Sequence, residues 1–407
     1  MDKTICELFA GVGGFRLGFD RLNSGWKTVW FSQWEPSMKT QWAHDCYVQH
    51  YGDSIDQNNE YHTNDDISIV DKNNIPDHTL LVGGFPCQDY SVAQSLSTSK
   101  GIEGKKGVLW WQIRDVLIKK RPPFCILENV DRLILSPAKQ RGRDLGIILS
   151  CFNALGYSVE WRIVNAAHYG GAQRRRRTFI FAYQNNTSYG MKMSLVEPED
   201  IVKSKGFMAK AFPITDTRPF TKTTISSDIL DVSDNFSFNF EGAGCMSYGR
   251  VRTTKVIEAK EAPILLGNIL QKNVDESYYI PKDNLPKWRY LKGKKKIPRV
   301  SKTGFEYIFS EGAIPFPDPL NKPSRTMLTS EGNINRSTHV VRDPQTKRLR
   351  LLTPVEAERL QGFEDNWTNT GMSNRGRYFC MGNALVVPIV TRMGRVLDEI
   401  IDKEKIA

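Results

Sequence analysis

Three short stretches carry residues that could do chemistry. Leu80-Leu81-Val82 reads as a buried strand, Gly83-Gly84 ends it, and Phe85-Pro86 delivers Cys87 just past its carboxyl end. Ligands of open α/β sheets bind at that edge, and a thiolate there could attack an electrophilic carbon. Most free cysteines are small buried hydrophobes, so position alone leaves that alternative open. Phe124-Cys125-Ile126-Leu127 reads as another buried strand, bringing Glu128-Asn129-Val130 to the same edge. A partly buried carboxyl holds its proton to higher pH and can donate it. Gln173-Arg174-Arg175-Arg176-Arg177 enters a strand expected over 178–182. Alternation aims Arg175 and Arg177 to one side, where a site could be, and leaves Arg174 and Arg176 to the surface.

The elements that must position these residues alternate strand and helix. Thr4 to Phe9 reads as a first strand, followed by Ala10-Gly11-Val12-Gly13-Gly14-Phe15 and a helical stretch. Glycines there let the backbone approach a ligand closely. The dinucleotide fingerprint is absent, since Arg16 occupies the position of its third glycine. A second strand over 27–33 ends at Trp34-Glu35-Pro36, and an acid at that place commonly takes ribose hydroxyls. Glycine loop and acid together point to an adenosine-bearing cofactor. Residues 88–107 are rich in Ser, Lys and Gly, too polar to pack, and read as an active-site lid. Helices are expected over 108–119 and 142–155, and a strand from Val159. Thr353-Pro354-Val355-Glu356 reads as a capping box, and a last helix from Val386 to Lys403 should pack back on the first strand.

Composition sets the class. The chain has 407 residues, 40% hydrophobic and 25% charged, enough for two or three domains with a sizeable core. Its seven cysteines are scattered without a C-x-x-C pair, and its six histidines show no H-E-x-x-H spacing, so neither a disulfide framework nor a metal site is expected. No apolar run reaches membrane-spanning length and no signal peptide is evident, so the expected location is the cytoplasm. The net charge of +11 suits a polyanionic partner. Residues 281–300 carry eight Lys/Arg against one acid, with Trp288 and Tyr290 interleaved. Lys287, Arg289, Lys294, Lys295 and Lys296 are the candidate nucleic-acid contacts in that run.

Phe9-Ala10-Gly11-Val12-Gly13-Gly14, Gly84-Phe85-Pro86-Cys87-Gln88, Glu128-Asn129-Val130, Gln173 to Arg177 and Gly382-Asn383-Ala384 occur in the order of the motifs of the DNA cytosine-5 methyltransferases. The chain resembles that family over residues 1–184 and from about 320 to 407. The resemblance implies an α/β fold with a doubly wound, mostly parallel sheet that binds S-adenosylmethionine, and a second, smaller, irregular β-rich domain. It implies a catalytic domain over 1–184, a target-recognition domain over 185–321 and a return segment over 322–407. It places Phe9, Gly11, Val12 and Gly14 along the cofactor, Glu35 on the ribose, Pro36 against the adenine, and Asp66 and Ile67 at the base. Pro86, Leu109, Asn383, Ala384 and Leu385 fill the remaining cofactor positions. Many relatives have an aromatic residue where Pro36 stands.

The implied chemistry also follows from the ring. C5 of cytosine is a poor nucleophile until a thiolate adds at C6. Cys87 would be that thiolate, Glu128 would engage N3 and the exocyclic amine, and Arg177 would hold O2 with Arg175 beside it. A paired base is reached only by flipping it from the duplex, with Ser91 as a phosphate contact. The expected enzyme is a monomeric methylase of double-stranded DNA, either the modification half of a restriction–modification pair with a separately acting endonuclease or a solitary or phage-borne counterpart. An RNA methyltransferase on the same scaffold and a catalytically silent DNA-binding regulator are the alternatives. A zinc deaminase is disfavoured, because Pro86-Cys87 lacks the second cysteine of P-C-x-x-C.

Overall fold

The computed structural model describes residues 1–36, 38–85, 109–301 and 304–404. The chain forms two compact units, one of Met1–Tyr169, Arg176–Glu261 and Leu385–Ala407, the other of Gly170–Arg175 and Ala262–Ala384.

The first unit is built on one nine-stranded sheet. In chain order its elements are β1 (Thr4–Leu8), α1 (Gly14–Asp20), β2 (Lys27–Ser32), α2 (Trp42–Tyr51), β3 (Leu80–Gly84), α3 (Leu109–Lys120), β4 (Phe124–Val130), α4 (Arg143–Ala154), β5 (Tyr157–Asn165) and β6 (Arg176–Gln184). Beyond them lie α5 (Ser188–Ser194), β7 (Ile214–Thr217), β8 (Thr221–Thr224), β9 (Ala243–Ser247), β10 (Arg250–Thr254) and β11 (Val256–Glu258). The sheet order is β2-β1-β3-β4-β6-β5-β9-β10-β8. The first four strands run parallel, as expected of the doubly wound half, and every later pairing in this sheet is antiparallel. The sheet is therefore mixed. Residues 185–261, which the sequence reading placed beyond a boundary at 184, continue this sheet through β9 against β5.

Both faces of the sheet are covered, which explains the near-continuous apolar strands. Alternate residues of the central strands go to opposite cores: Leu81, Cys125 and Leu127 pack with Trp110, Ile113 and Leu117 of α3, whereas Leu80, Val82 and Ile126 pack on the other side. The second core is closed by the C-terminal helix Val387–Ile401, whose Ile389, Val390, Met393, Val396, Leu397 and Ile400 recur at helical spacing. That helix lies on α1: Thr391 Oγ1 donates to the Gly18 carbonyl (2.9 Å) and Trp26 Nε1 to Asp398 (2.6 Å). Glu404 accepts from the main-chain N–H groups of Ser188 and Tyr189 at the start of α5. Both chain ends thus complete one unit, as expected.

The second unit contains α6 (Leu285–Lys292), the hairpin β12 (Lys295–Val300) and β13 (Glu306–Glu311), the pair β14 (Val340–Arg342) and β15 (Leu349–Leu351), α7 (Pro354–Gln361) and α8 (Asn374–Asn383). The expected capping box is present at α7, with Thr353 and Glu356 satisfying each other's N–H groups, and Gly362 ends the helix at φ +81°. Buried charges hold this unit. Arg350 is bonded by Asp343 and Glu356, and Arg377 by Glu358, all buried. Among the described residues no helix is long and apolar enough to cross a membrane.

Candidate active site

The carboxyl ends of β1, β2 and β4 carry the glycine loop, Glu35 and Glu128. β1 ends in a sharp turn: Phe9 has φ +55°, Gly11 +57° and Gly13 +85°. At Gly13 a Cβ would come within 2.8 Å of the Tyr51 ring and 3.2 Å of Tyr47, so a side chain there would displace α2. At Gly11 a Cβ would meet nothing within 4 Å, which leaves the backbone open to a ligand. Gln33 at the end of β2 accepts from the Gly11 N–H (2.6 Å) and so ties the loop to the neighbouring strand. Glu35 follows, half-buried, with its own N–H and carbonyl both taken by the Gln41 side chain. Asp66 caps a turn through Ser68 N–H, and Ile67 is buried beside it.

These residues fit S-adenosylmethionine. An open backbone cradle at Gly11 and a half-buried carboxylate one strand away are the groups an amino-acid-bearing nucleoside needs. Val12 and Gly14 are buried, Pro36 is exposed, and Leu109, at the start of α3, is half-buried. Pro86, Cys87 and Ser91 lie outside the described residues.

Glu7 on β1 supports the loop from beneath. It is fully buried, and Tyr47 donates to its Oε2 (3.2 Å). Burial pushes its carboxyl up to about 8, against the pull of Tyr47, Arg16 and the N–H groups of Phe15 and Arg16. A carboxyl raised in the folded state contributes stability that is whole below its ordinary value of 4.5 and is lost as pH rises through about 8. Glu7→Gln is therefore expected to flatten the fall in thermal midpoint across that window. An unchanged slope would contradict this assignment.

Glu128 stands at the end of β4 directly opposite Gly84 of β3. Its Oε2 lies 3.3 Å from where a Gly84 Cβ would be, so the glycine makes room for the carboxylate. Arg177, at the start of β6, pairs with Glu128 through Nε at 2.8 Å, both side chains mostly buried. The chain leaving β3 is clamped: Phe85 N–H donates to the Glu128 carbonyl (3.3 Å), and Asn129 Nδ2 donates to the Phe85 carbonyl (2.8 Å). Cys87 is two residues beyond that clamp. Carboxylate, guanidinium and the strand leading to the thiol thus converge on one edge.

Arg175 corrects the expectation drawn from alternation. β6 begins only at Arg176, and the Arg175 guanidinium is buried in the second unit, donating to the carbonyls of Met327 (3.3 Å), Gly382 (3.1 Å) and Asn383 (3.4 Å). It holds the main chain of the Gly382-Asn383 motif. Asn383 itself is exposed, and Ala384 and Leu385, where the chain returns to the first unit, are half-buried. Arg174 and Arg176 are exposed, Arg176 pairing with Asp131.

Sequence reasoning gave no role to Gln33, Gln41 or Asn129, which brace the loop, the acid and the strand end; their signal is only adjacency to the motifs. A second constellation with catalytic spacing occurs in the second unit, where Ser324 Oγ lies 2.9 Å from His339 Nε2 and His339 Nδ1 lies 2.9 Å from Glu331. All three are at most 2% exposed, and His339 N–H also donates to Glu331, so the group serves packing. Of the basic candidates, Lys287, Arg289, Lys294 and Lys296 are exposed, while Lys295 is half-buried over the Tyr290 ring.

Solved structures share this fold: a methyltransferase of Entamoeba histolytica, EhMeth (17% identity, TM-score 0.58, 98% of this chain and 99% of that one), and the Dnmt2 methyltransferase of S. pombe (15%, 0.56, 98% of each). The fold class is that of the methyltransferases. The profile of the C-5 cytosine-specific DNA methylases matches residues 3–399. Among curated relatives, the type II methyltransferase M.Sau3AI of Staphylococcus aureus is 49% identical over 97% of this chain and 95% of its own length. M.SsoII of Shigella sonnei is 26% identical over 97% and 80%. The chain belongs to the C-5 cytosine-specific DNA methylase family. It is a DNA (cytosine-5-)-methyltransferase that uses S-adenosylmethionine.

Proposed function

We propose that Cys87, Glu128 and Arg177 carry the reaction on a cytosine turned out of double-stranded DNA. The ion pair of Arg177 with Glu128 against Gly84, on the strand that leads to Cys87, is the observation that supports this most directly. The Cys87 thiolate forms a bond to C6, and the ring electrons move towards N3, where Glu128 donates a proton. Arg177, held in place by Glu128 in the ligand-free protein, turns its guanidinium to O2 as the base enters. When bound, S-adenosylmethionine supplies an electrophilic methyl group to C5. A water takes the C5 proton, N3 returns its proton to Glu128, and the electrons released re-form the C5–C6 double bond as Sγ leaves C6 as thiolate. Gly11, with Phe9, Val12 and Gly14 around it, holds the cofactor's amino-acid end. Glu35 takes the ribose, Pro36, Asp66 and Ile67 the adenine, and Pro86, Leu109, Asn383, Ala384 and Leu385 are the remaining cofactor contacts.

The target-recognition role falls within residues 185–321. Lys287, Arg289, Lys294, Lys295 and Lys296 there contact DNA, and Ser91 elsewhere in the chain contacts a phosphate. The protein acts as a monomer in the cytoplasm and protects DNA from a separately acting endonuclease, a reading that its likeness to type II methyltransferases supports. Bisulfite sequencing of DNA from an otherwise unmethylated host expressing the protein tests this function. Protected cytosines in one fixed context are expected. Their absence, with the protein folded and abundant, would overturn the assignment.

A further inference from the structure

Among the described residues the hairpin β12–β13 is a two-stranded sheet of its own, paired with no other strand. Its register puts Lys296, Pro298 and Val300 on one face with Ser310, Ile308 and Glu306 opposite them. Every residue of that face is exposed, Ile308 by 66% and Val300 by 63%. On the other face Lys295, Ile297, Phe309 and Glu311 are half-buried. The Arg299 guanidinium lies 3.9 Å over the Phe309 ring, and Lys295 meets both Tyr290 and Glu311.

The base of the hairpin is fixed. Lys292 is buried and donates to the carbonyls of Arg336 and Thr338, Ile314 N–H donates to the Lys292 carbonyl (3.0 Å), and Arg336 donates to Gly293 and Gly312. A two-stranded ribbon anchored at its base, with one bare face, results. Six residues per strand give about 20 Å of length, and a two-stranded ribbon enters a major groove about 12 Å wide.

The chemistry of the bare face differs from that of the surface around it. Lys287, Arg289 and Lys294 are exposed cations, suited to phosphates of any sequence. The ribbon face instead mixes a donor (Lys296), an acceptor (Glu306), a hydroxyl (Ser310) and aliphatic surface (Ile308, Val300). Base edges in the major groove show acceptors, donors and the thymine methyl, which that mixture can tell apart. We propose that this face of the β12–β13 ribbon is the specificity-determining surface of the enzyme and reads base edges of duplex DNA in the major groove. The proposal rests on the target-recognition role given above to residues 185–321.

The test begins with the methylated context mapped for the wild type. Synthetic duplexes carrying that context, and duplexes with single base pairs exchanged within it, are then methylated by the wild type and by Lys296→Ala, Ile308→Ser and Lys287→Ala. The ribbon positions are exposed, and unchanged thermal midpoints will verify folding. Lys296→Ala and Ile308→Ser are each expected to lower the ratio of kcat/KM between intact and exchanged duplex by about 10- to 100-fold at one base pair. Affinity for unrelated duplex should remain as in the wild type. Lys287→Ala should weaken all duplexes alike and reduce the salt dependence. Retained discrimination in both ribbon variants, or equal loss on every duplex, would overturn the proposal. So would a change confined to self-association in sedimentation, which would mark the face as a contact between copies. A wild type that methylates no fixed context would instead defeat the functional reading itself.

Discussion

The C87S enzyme is expected to bind S-adenosylmethionine as the wild type does and to transfer methyl groups more slowly by about 10⁴-fold or more. A serine hydroxyl is not ionised at neutral pH and no histidine stands beside it in the sequence, so nothing replaces the thiolate at C6. Cofactor binding should survive, because its proposed holders sit mainly on other strand ends: the glycine loop after β1, Glu35 after β2 and Asp66 further on. Radiolabel transfer to DNA reads the first effect and calorimetric titration with the cofactor reads the second. Turnover within a factor of ten of the wild type would require a different nucleophile.

Glu128→Gln is expected to lower kcat by about 10² to 10⁴-fold with the cofactor affinity unchanged. The amide keeps the shape that fits against Gly84 and can still hydrogen-bond, but it has no proton to give N3. It also releases Arg177 from its 2.8 Å partner. The two residues act as a unit, so Arg177→Ala added to Glu128→Gln should cost less than the two losses combined. Single-turnover kinetics on saturating duplex separate this from a binding defect. A kcat at the wild-type level, or strict additivity, would place the proton donor elsewhere.

Much of this arrangement was legible because strands buried on both faces leave an unmistakable mark. Leu80-Leu81-Val82 and Phe124-Cys125-Ile126-Leu127 are apolar without interruption, and each releases its polar residues at the carboxyl end, where the sheet presents them. The glycine loop was equally readable, since positive φ at Gly11 and Gly13 has few other solutions. What local pattern missed was long-range. Arg175 and Arg177 look alike in a run of four arginines, yet one donates to carbonyls more than 150 residues away and the other to Glu128. The antiparallel half of the sheet was hidden because β8, β9 and β10 are short and carry Thr, Gly and Ser rather than apolar runs. Gln33 and Asn129 were unreadable for a related reason. Their value lies in the main-chain groups they hold, and a polar residue at a strand end carries no sign of its partner.

The most direct test uses duplex DNA with 5-fluorocytosine at the methylated position, incubated with enzyme and S-adenosylmethionine. After Cys87 has added to C6 and the methyl group has reached C5, fluorine cannot leave as a proton does, so Sγ cannot be expelled. The account predicts a denaturation-resistant protein–DNA complex, formed only with cofactor present, whose mass-mapped cross-link is at Cys87 and which C87S does not form. Full methylation of the parent duplex with no trapped complex on its fluorinated counterpart would contradict it.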